Sequence, residues 1–332
     1  MAKAVILGAG TWGTALARAL YIGNNEVTLW STIESEIINL SETRKHPNLH
    51  NFILPDGVDL ETDIGRAVCG KDIIVVAVPS PYMRLTARML SEKCDLRDEQ
   101  IIVSVAKGLE DDSFKTMTEV IADEIGNPNV RILALSGPTH AEEVALDMPT
   151  AIVASGENDE ALKLVQSVFS NPFMRVYTNN DIKAIEICGA LKNIIAIAAG
   201  ISSGLGYGDN AKAAIITRGM IEITRLCCAA GCSDKVFSSL AGIGDLVVTC
   251  TSSHSRNNTV GFLIGKGMSP SAAISEIGMV VEGINALPGA IGLSRKYNTE
   301  LPLCELVSKI ISGDVRAKDA LDIMMSREFK AE

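Results

Sequence analysis

Aromatic side chains are scarce in this sequence, only 4% of 332 residues, although 47% of the chain is hydrophobic. The core must therefore come from Ala, Ile, Val and Leu, as in layers of helix on sheet and helix on helix. Long apolar runs are also missing. The longest, residues 73–78 and 194–201, fall far short of bilayer length, so no integral membrane segment is expected. The opening residues lead straight into a strand-like run and glycines, without the apolar region of a signal peptide, which points to a cytoplasmic protein. Positive charge is in deficit, with 30 Lys and Arg against 40 Asp and Glu and a net charge of −10. That balance argues against a nucleic-acid surface, and any anionic ligand must be met by a few locally placed cations. The eight cysteines form no C-x-x-C pair and have no histidine at ligand spacing. They read as buried reduced thiols, and no metal site is expected.

What is present is a change of rhythm along the chain. A single core stops growing near about 250–300 residues, so two domains are expected. Through residue 180, Val- and Ile-rich segments suited to strands (3–7, 26–30, 72–78, 100–106, 131–136 and 151–154) alternate with helix-like ones such as 14–22 and 113–125. Several are apolar throughout, as parallel strands covered on both faces are. The alternation predicts an α/β domain with a doubly wound sheet over residues 1–180. Beyond it the pattern turns helical, at 182–201, 211–230, 258–265, 281–296, 301–311 and 317–325. An all-α C-terminal domain is expected over residues 181–332, with residues 176–180 as the seam.

Gly8-Ala9-Gly10-Thr11-Trp12-Gly13 is a G-x-G-x-x-G between the first strand and an apolar-periodic helix. In that context it marks a dinucleotide-binding turn of Rossmann type. Gly8 makes the turn, Gly10 lets the backbone approach a pyrophosphate, and Gly13 packs helix against strand. The helix start supplies N–H donors and positive dipole. An acid that grips the ribose of NAD is expected at the end of the second strand. The chain there reads Trp30-Ser31-Thr32-Ile33, with no Asp and no adjacent Arg. Ser31 and Thr32 suit either a hydroxyl or a phosphate, and Arg44 and Lys45 follow, so NAD and NADP both stay open.

Two lysines stand in unusual surroundings. Lys107 follows a strand and precedes Gly108, at the edge where open sheets bind ligands; an ordinary exposed loop lysine is the plain alternative. Lys192 lies in a helix apolar nearly all round, where burial would lower its pKa towards the working pH; a lysine snorkelling from a helix edge is the alternative. Asp245, between glycine turns and an apolar strip, suits an ammonium partner or a helix cap. Ser255-Arg256-Asn257 groups hydroxyl, guanidinium and amide before a helix, a pattern fit for phosphate.

These segments, with Ser136-Gly137-Pro138-Thr139-His140-Ala141-Glu142-Glu143-Val144, Leu191-Lys192-Asn193 and Val281-Glu282-Gly283, resemble the bacterial-type NAD(P)-dependent glycerol-3-phosphate dehydrogenases over essentially the whole chain. The resemblance implies hydride transfer between sn-glycerol 3-phosphate and dihydroxyacetone phosphate, with Lys192 as general acid and base and Asp245 as its partner. It implies a substrate ring of Lys107, Gly137, Thr139, Ser255, Arg256 and Asn257. It places cofactor contacts at Thr11, Trp12, Ala141, Val280 and Glu282, with Lys107 and Arg256 touching both ligands. It also implies a homodimer and a role in supplying phospholipid synthesis. There are departures: no Arg or His follows the second strand, Phe52 stands where Tyr is frequent, and Ser203 where Asp is frequent. A β-hydroxy-acid dehydrogenase shares the plan but needs a carboxylate-binding Arg. A dinucleotide sensor would lack Lys192 or Asp245. No P-loop or metal-carboxylate motif supports a kinase or phosphatase.

Overall fold

The computed structural model describes residues 1–326. Eight strands form one sheet in the order β3-β2-β1-β4-β5-β6-β7-β8: β1 (Lys3–Leu7), β2 (Glu26–Trp30), β3 (Asp59–Glu61), β4 (Ile73–Val76), β5 (Ile101–Ser104), β6 (Arg131–Ser136), β7 (Thr150–Ser155) and β8 (Met174–Asn179). Seven helices connect them: α1 (Thr11–Ile22), α2 (Glu34–Thr43), α3 (Ile64–Val68), α4 (Met83–Lys93), α5 (Met117–Ile125), α6 (Ala141–Ala145) and α7 (Asp159–Phe169). The chain leaves β1 for β2 on one side and reaches β4 on the other. That reversal opens a crevice at the carboxyl ends of the central strands, where sheets of this kind bind ligands.

The doubly wound reading holds for the first six strands, which pair in parallel. The last two depart from it, since β7 runs antiparallel to β6 and β8 parallel to β7. The reason is the connection. A parallel return needs a crossover, usually a helix, that runs back along the sheet to its starting edge. Here α6 is only five residues long and packs on α1, and Asp147 turns the chain with φ 58°. So β7 starts at the edge where β6 ended. Residues 176–180, expected as a seam, lie largely within β8, whose alternating exposed positions mask its pairing in the sequence. The short β3 gave no apolar run to find.

Among the described residues all later elements are helical: α8 (Ile182–Gly204), α9 (Asp209–Ala229), α10 (Asp245–Thr251), α11 (Arg256–Gly265), α12 (Pro270–Ile277), α13 (Glu282–Lys296), α14 (Pro302–Ser312) and α15 (Ala320–Met325). α8 is the axle of this layer. It is long and apolar enough to cross a bilayer by length and composition, more than its runs suggested, yet its most apolar stretch is buried inside the protein. Close approach makes that possible. A Cβ on Gly200 would lie 2.1 Å from the Asn258 carbonyl, and one on Gly261 2.1 Å from that of Ile197. α8 and α11 therefore meet backbone to backbone, which fixes where each presents its polar side chains.

Glu186 ties α8 to the sheet layer. Its buried carboxyl accepts the Thr118 amide at 2.9 Å and meets the Thr118 hydroxyl at the start of α5. Burial pushes its pKa from 4.5 up to about 7. The folded chain thus keeps a proton that the unfolded chain releases, and stability is lost as pH rises from 4.5 to about 7. Glu186→Gln should remove this dependence. Urea denaturation across that range should show the wild type losing on the order of 3 kcal/mol relative to the variant. Parallel pH profiles for the two would contradict the assignment.

Candidate active site

The crevice collects residues from both layers. Lys107 follows β5, Gly137 and Thr139 follow β6, and Lys192 projects from the middle of α8. Asp245 opens α10 after a kinked turn in which Gly242 leaves helical geometry (φ −89°, ψ −106°). A Cβ on Gly242 would meet the Val236 carbonyl at 2.4 Å, so the kink needs glycine.

At the centre, Asp245 bridges two lysines. Its Oδ1 accepts Lys192 Nζ at 2.6 Å and its Oδ2 accepts Lys107 Nζ at 2.8 Å, with Asp245 only 1% exposed. Lys107 also donates to the Gly137 carbonyl at 2.9 Å, and Lys192 to the Thr249 hydroxyl at 2.6 Å. Thr249, one helical turn beyond Asp245, donates in turn to the Asp245 carbonyl at 2.6 Å. Each ammonium has three donors and spends two of them on described residues, leaving one for a ligand.

The electrostatics follow from this geometry. Burial depresses the Lys192 pKa to about 8, and the Lys107 charge pushes the same way against the pull of Asp245. Burial works to raise Asp245, but the two ammoniums overcome it and hold the carboxyl below its ordinary value. His140 is lowered by burial and by the same two lysines, and its Nε2 is buried without a partner among the described residues. An amine that titrates near neutrality, beside a fixed carboxylate and a second cation, can exchange a proton with a bound hydroxyl and steady a developing oxyanion.

Around this centre the other expected residues play distinct parts. Thr139 donates to the Gly137 carbonyl at 3.1 Å. Ser255 caps α11 by accepting the Asn258 amide at 3.2 Å. Asn257 is buried, donating to Asn193 at 2.9 Å and accepting the Gly283 amide at 2.9 Å, so it cross-links α8, α11 and α13. Arg256 is exposed and tethered through the Val280 carbonyl at 2.8 Å, with no further hydrogen bond to a described residue. Glu282 accepts the Ser80 amide at 3.0 Å and its hydroxyl, while burial raises its pKa. A Cβ on Gly108 would lie 2.4 Å from Ser80, which presses this clamp against the Lys107 loop.

The glycine turn sits at the neighbouring strand ends. Gly8 has φ +120°, and a Cβ there would touch the Ala77 carbonyl at 3.0 Å; one on Gly13 would lie 1.9 Å from the Gly8 carbonyl. Above Gly10 nothing lies within 4 Å, and the first turn of α1 has neither a side-chain cap nor an acid. The open space and uncompensated N–H donors of Thr11, Trp12 and Gly13 fit a dinucleotide pyrophosphate. Ala141 opens α6, which packs on α1 beside this turn. Ser80 and Thr249 were missed from the sequence, although the i, i+4 spacing of Asp245 and Thr249 was there to be read. Phe52 is buried in the apolar cluster that also holds Ile37 and Leu40 of α2.

Two family models match the chain. NAD-dependent glycerol-3-phosphate dehydrogenase N-terminus covers residues 3–162, and NAD-dependent glycerol-3-phosphate dehydrogenase C-terminus covers residues 181–322. A protein of Lactobacillus delbrueckii subsp. bulgaricus named as an NAD(P)+ glycerol-3-phosphate dehydrogenase is 51% identical, over 100% of this chain and 99% of its own length. One of the same name from Fusobacterium nucleatum is 44% identical over 100% and 99%. The crystal structure of glycerol-3-phosphate dehydrogenase from Coxiella burnetii superposes with a TM-score of 0.93 at 34% identity, covering 98% of this chain and 99% of that one.

The carboxylate between the lysines is open to a direct test. Asp245→Asn leaves the buried Lys192 and the half-buried Lys107 without their counter-charge, which should cost about 3–5 kcal/mol at pH 7. Losing Asp245 also removes the pull that raises the Lys192 pKa, so the variant's amine releases its proton below the wild-type midpoint of about 8 and the deficit should shrink as pH rises from 7 to 8. Chemical denaturation of both proteins at the two pH values checks this, and a loss below 1 kcal/mol would contradict it.

Proposed function

The chain belongs to the NAD-dependent glycerol-3-phosphate dehydrogenase family, and we propose that Lys192 and Asp245 carry its reaction, the interconversion of sn-glycerol 3-phosphate and dihydroxyacetone phosphate with NAD(P)(H). The observation behind this reading is the buried Lys192–Asp245–Lys107 bridge at the mouth of a dinucleotide crevice. A bound nicotinamide would supply the hydride chemistry at C2 of the substrate. Lys192 takes the C2 hydroxyl proton in one direction and gives it back in the other, and a pKa of about 8 suits both tasks. Asp245 and Thr249 orient the amine so that its remaining donor faces the substrate oxygen. Lys107 supplies a second cation that steadies negative charge on that oxygen.

The substrate phosphate needs cations in a protein of net charge −10, and Arg256 supplies guanidinium donors and Ser255 a hydroxyl, with Thr139 able to join when its hydroxyl leaves the Gly137 carbonyl. Anchoring the phosphate there fixes C2 against Lys192. Asn257 serves by holding α8, α11 and α13 in register. Eight free thiols suit work in a reducing cytoplasm, and glycerol 3-phosphate made there would feed phospholipid synthesis.

Loss of reduced-nicotinamide absorbance on adding dihydroxyacetone phosphate, with NADH and with NADPH, measures the reaction. Lys192→Met should cut kcat by about 10²–10⁴-fold while dinucleotide binding persists. Well-folded wild type that turns over neither cofactor, or a variant of undiminished kcat, would overturn the proposal.

A further inference from the structure

We infer that Glu36 makes this enzyme selective for NAD(H) over NADP(H). The inference rests on the dinucleotide reading above and concerns the adenosine end of the crevice. β2 ends at Trp30, whose carbonyl accepts the Gly8 amide at 2.8 Å, so Ser31 begins directly beside the glycine turn. Sheets with this turn seat the adenosine ribose at that strand end, where an acid takes its 2′-hydroxyl. Residues 31–33 hold no acid.

The fold brings one back from the next helical turn. Ser31 Oγ accepts the Ile33 amide at 3.1 Å and donates to Glu36 Oε2 at 2.6 Å, drawing the carboxylate of α2's first turn over the strand end. His46 closes the corner from the other side. It is buried, lies close to the backbone of Ala9 in the glycine turn and within the field of Glu36, and accepts the Asn48 amide at 3.1 Å through Nδ1. Burial lowers its pKa, so it adds no lasting positive charge near neutral pH. Glu36, Ser31 and His46 thus enclose one corner against Ala9.

The chemistry of that corner separates the two dinucleotides. Glu36 Oε1 receives no hydrogen bond from a described residue, and an unengaged carboxylate oxygen accepts from a sugar hydroxyl. A 2′-phosphate brings acceptors and negative charge against it. The cations that would reverse the balance are spent elsewhere. Arg44 donates to the Val58 carbonyl at 3.0 Å and lies 3.7 Å from Asp56, and Arg66 pairs with Glu61 at 3.1 Å. Lys45, exposed on the loop after α2, is the rival that would favour a phosphate.

Titrating NADH and NADPH into the purified full-length chain, followed by calorimetry without substrate, tests this independently of turnover. Wild type should bind NADH at least about tenfold more tightly than NADPH, a difference of about 1.4 kcal/mol. Glu36→Gln should narrow the gap below about threefold, mainly by strengthening NADPH, and Lys45→Ala should leave it in place. If Glu36→Gln does not fold, Ser31→Ala, which releases the carboxylate from the strand end, should narrow the gap in the same direction. Equal or tighter NADPH binding by wild type, or an unchanged gap in a Glu36→Gln protein with wild-type melting, would overturn the inference and leave the dehydrogenase reading intact. Failure to bind either dinucleotide would overturn both.

Discussion

A carboxylate removed from water stays ionised only when cations are brought to it, and a buried ammonium stays charged only beside an anion. Asp245, Lys192 and Lys107 meet both conditions by sharing one carboxylate between two amines. The three come from α10, α8 and the loop after β5, so the bridge exists only when the helical layer is seated on the sheet. Much of the architecture can be read as support for that meeting. The glycine contacts between α8 and α11 set the depth of the Lys192 helix, the Gly242 kink aims Asp245, and the Ser80–Glu282 clamp holds the Lys107 loop from the other side.

The bridge also explains why this site can do proton chemistry. Fully paired one to one, a buried lysine would be held as an ammonium. Here the second amine takes half of the carboxylate and adds repulsion, and burial removes the solvent that would stabilise the charge. Lys192 is left near the point of releasing its proton. Thr249 then limits the directions in which the amine can donate, and chemistry at a single carbon needs such a limit.

Much of this was legible in the residues themselves. The G-x-G-x-x-G, the lysine inside an apolar helix and the aspartate between glycines announce themselves, because each places an unusual residue where packing alone would choose otherwise. The continuous apolar runs of β1, β4 and β5 likewise require a sheet covered on both faces. What stayed hidden depends on contacts distant in sequence. The reversal of β7 follows from a short helix packed on α1. Glu36 is six residues beyond Trp30, the strand end where an acid is expected, and Ser31 brings it within reach. The amide of Asn257 also joins three helices, a part visible only when Asn193 and Gly283 stand beside it.

The central claim is that burial between an anion and a second cation tunes the Lys192 amine. The most direct measurement is an NMR pH titration of side-chain-labelled lysine in the ligand-free protein, with the Lys192 signal identified by its loss in a Lys192→Met variant. The account predicts a midpoint of about 8. A midpoint at the ordinary lysine value of 10.5 would contradict it.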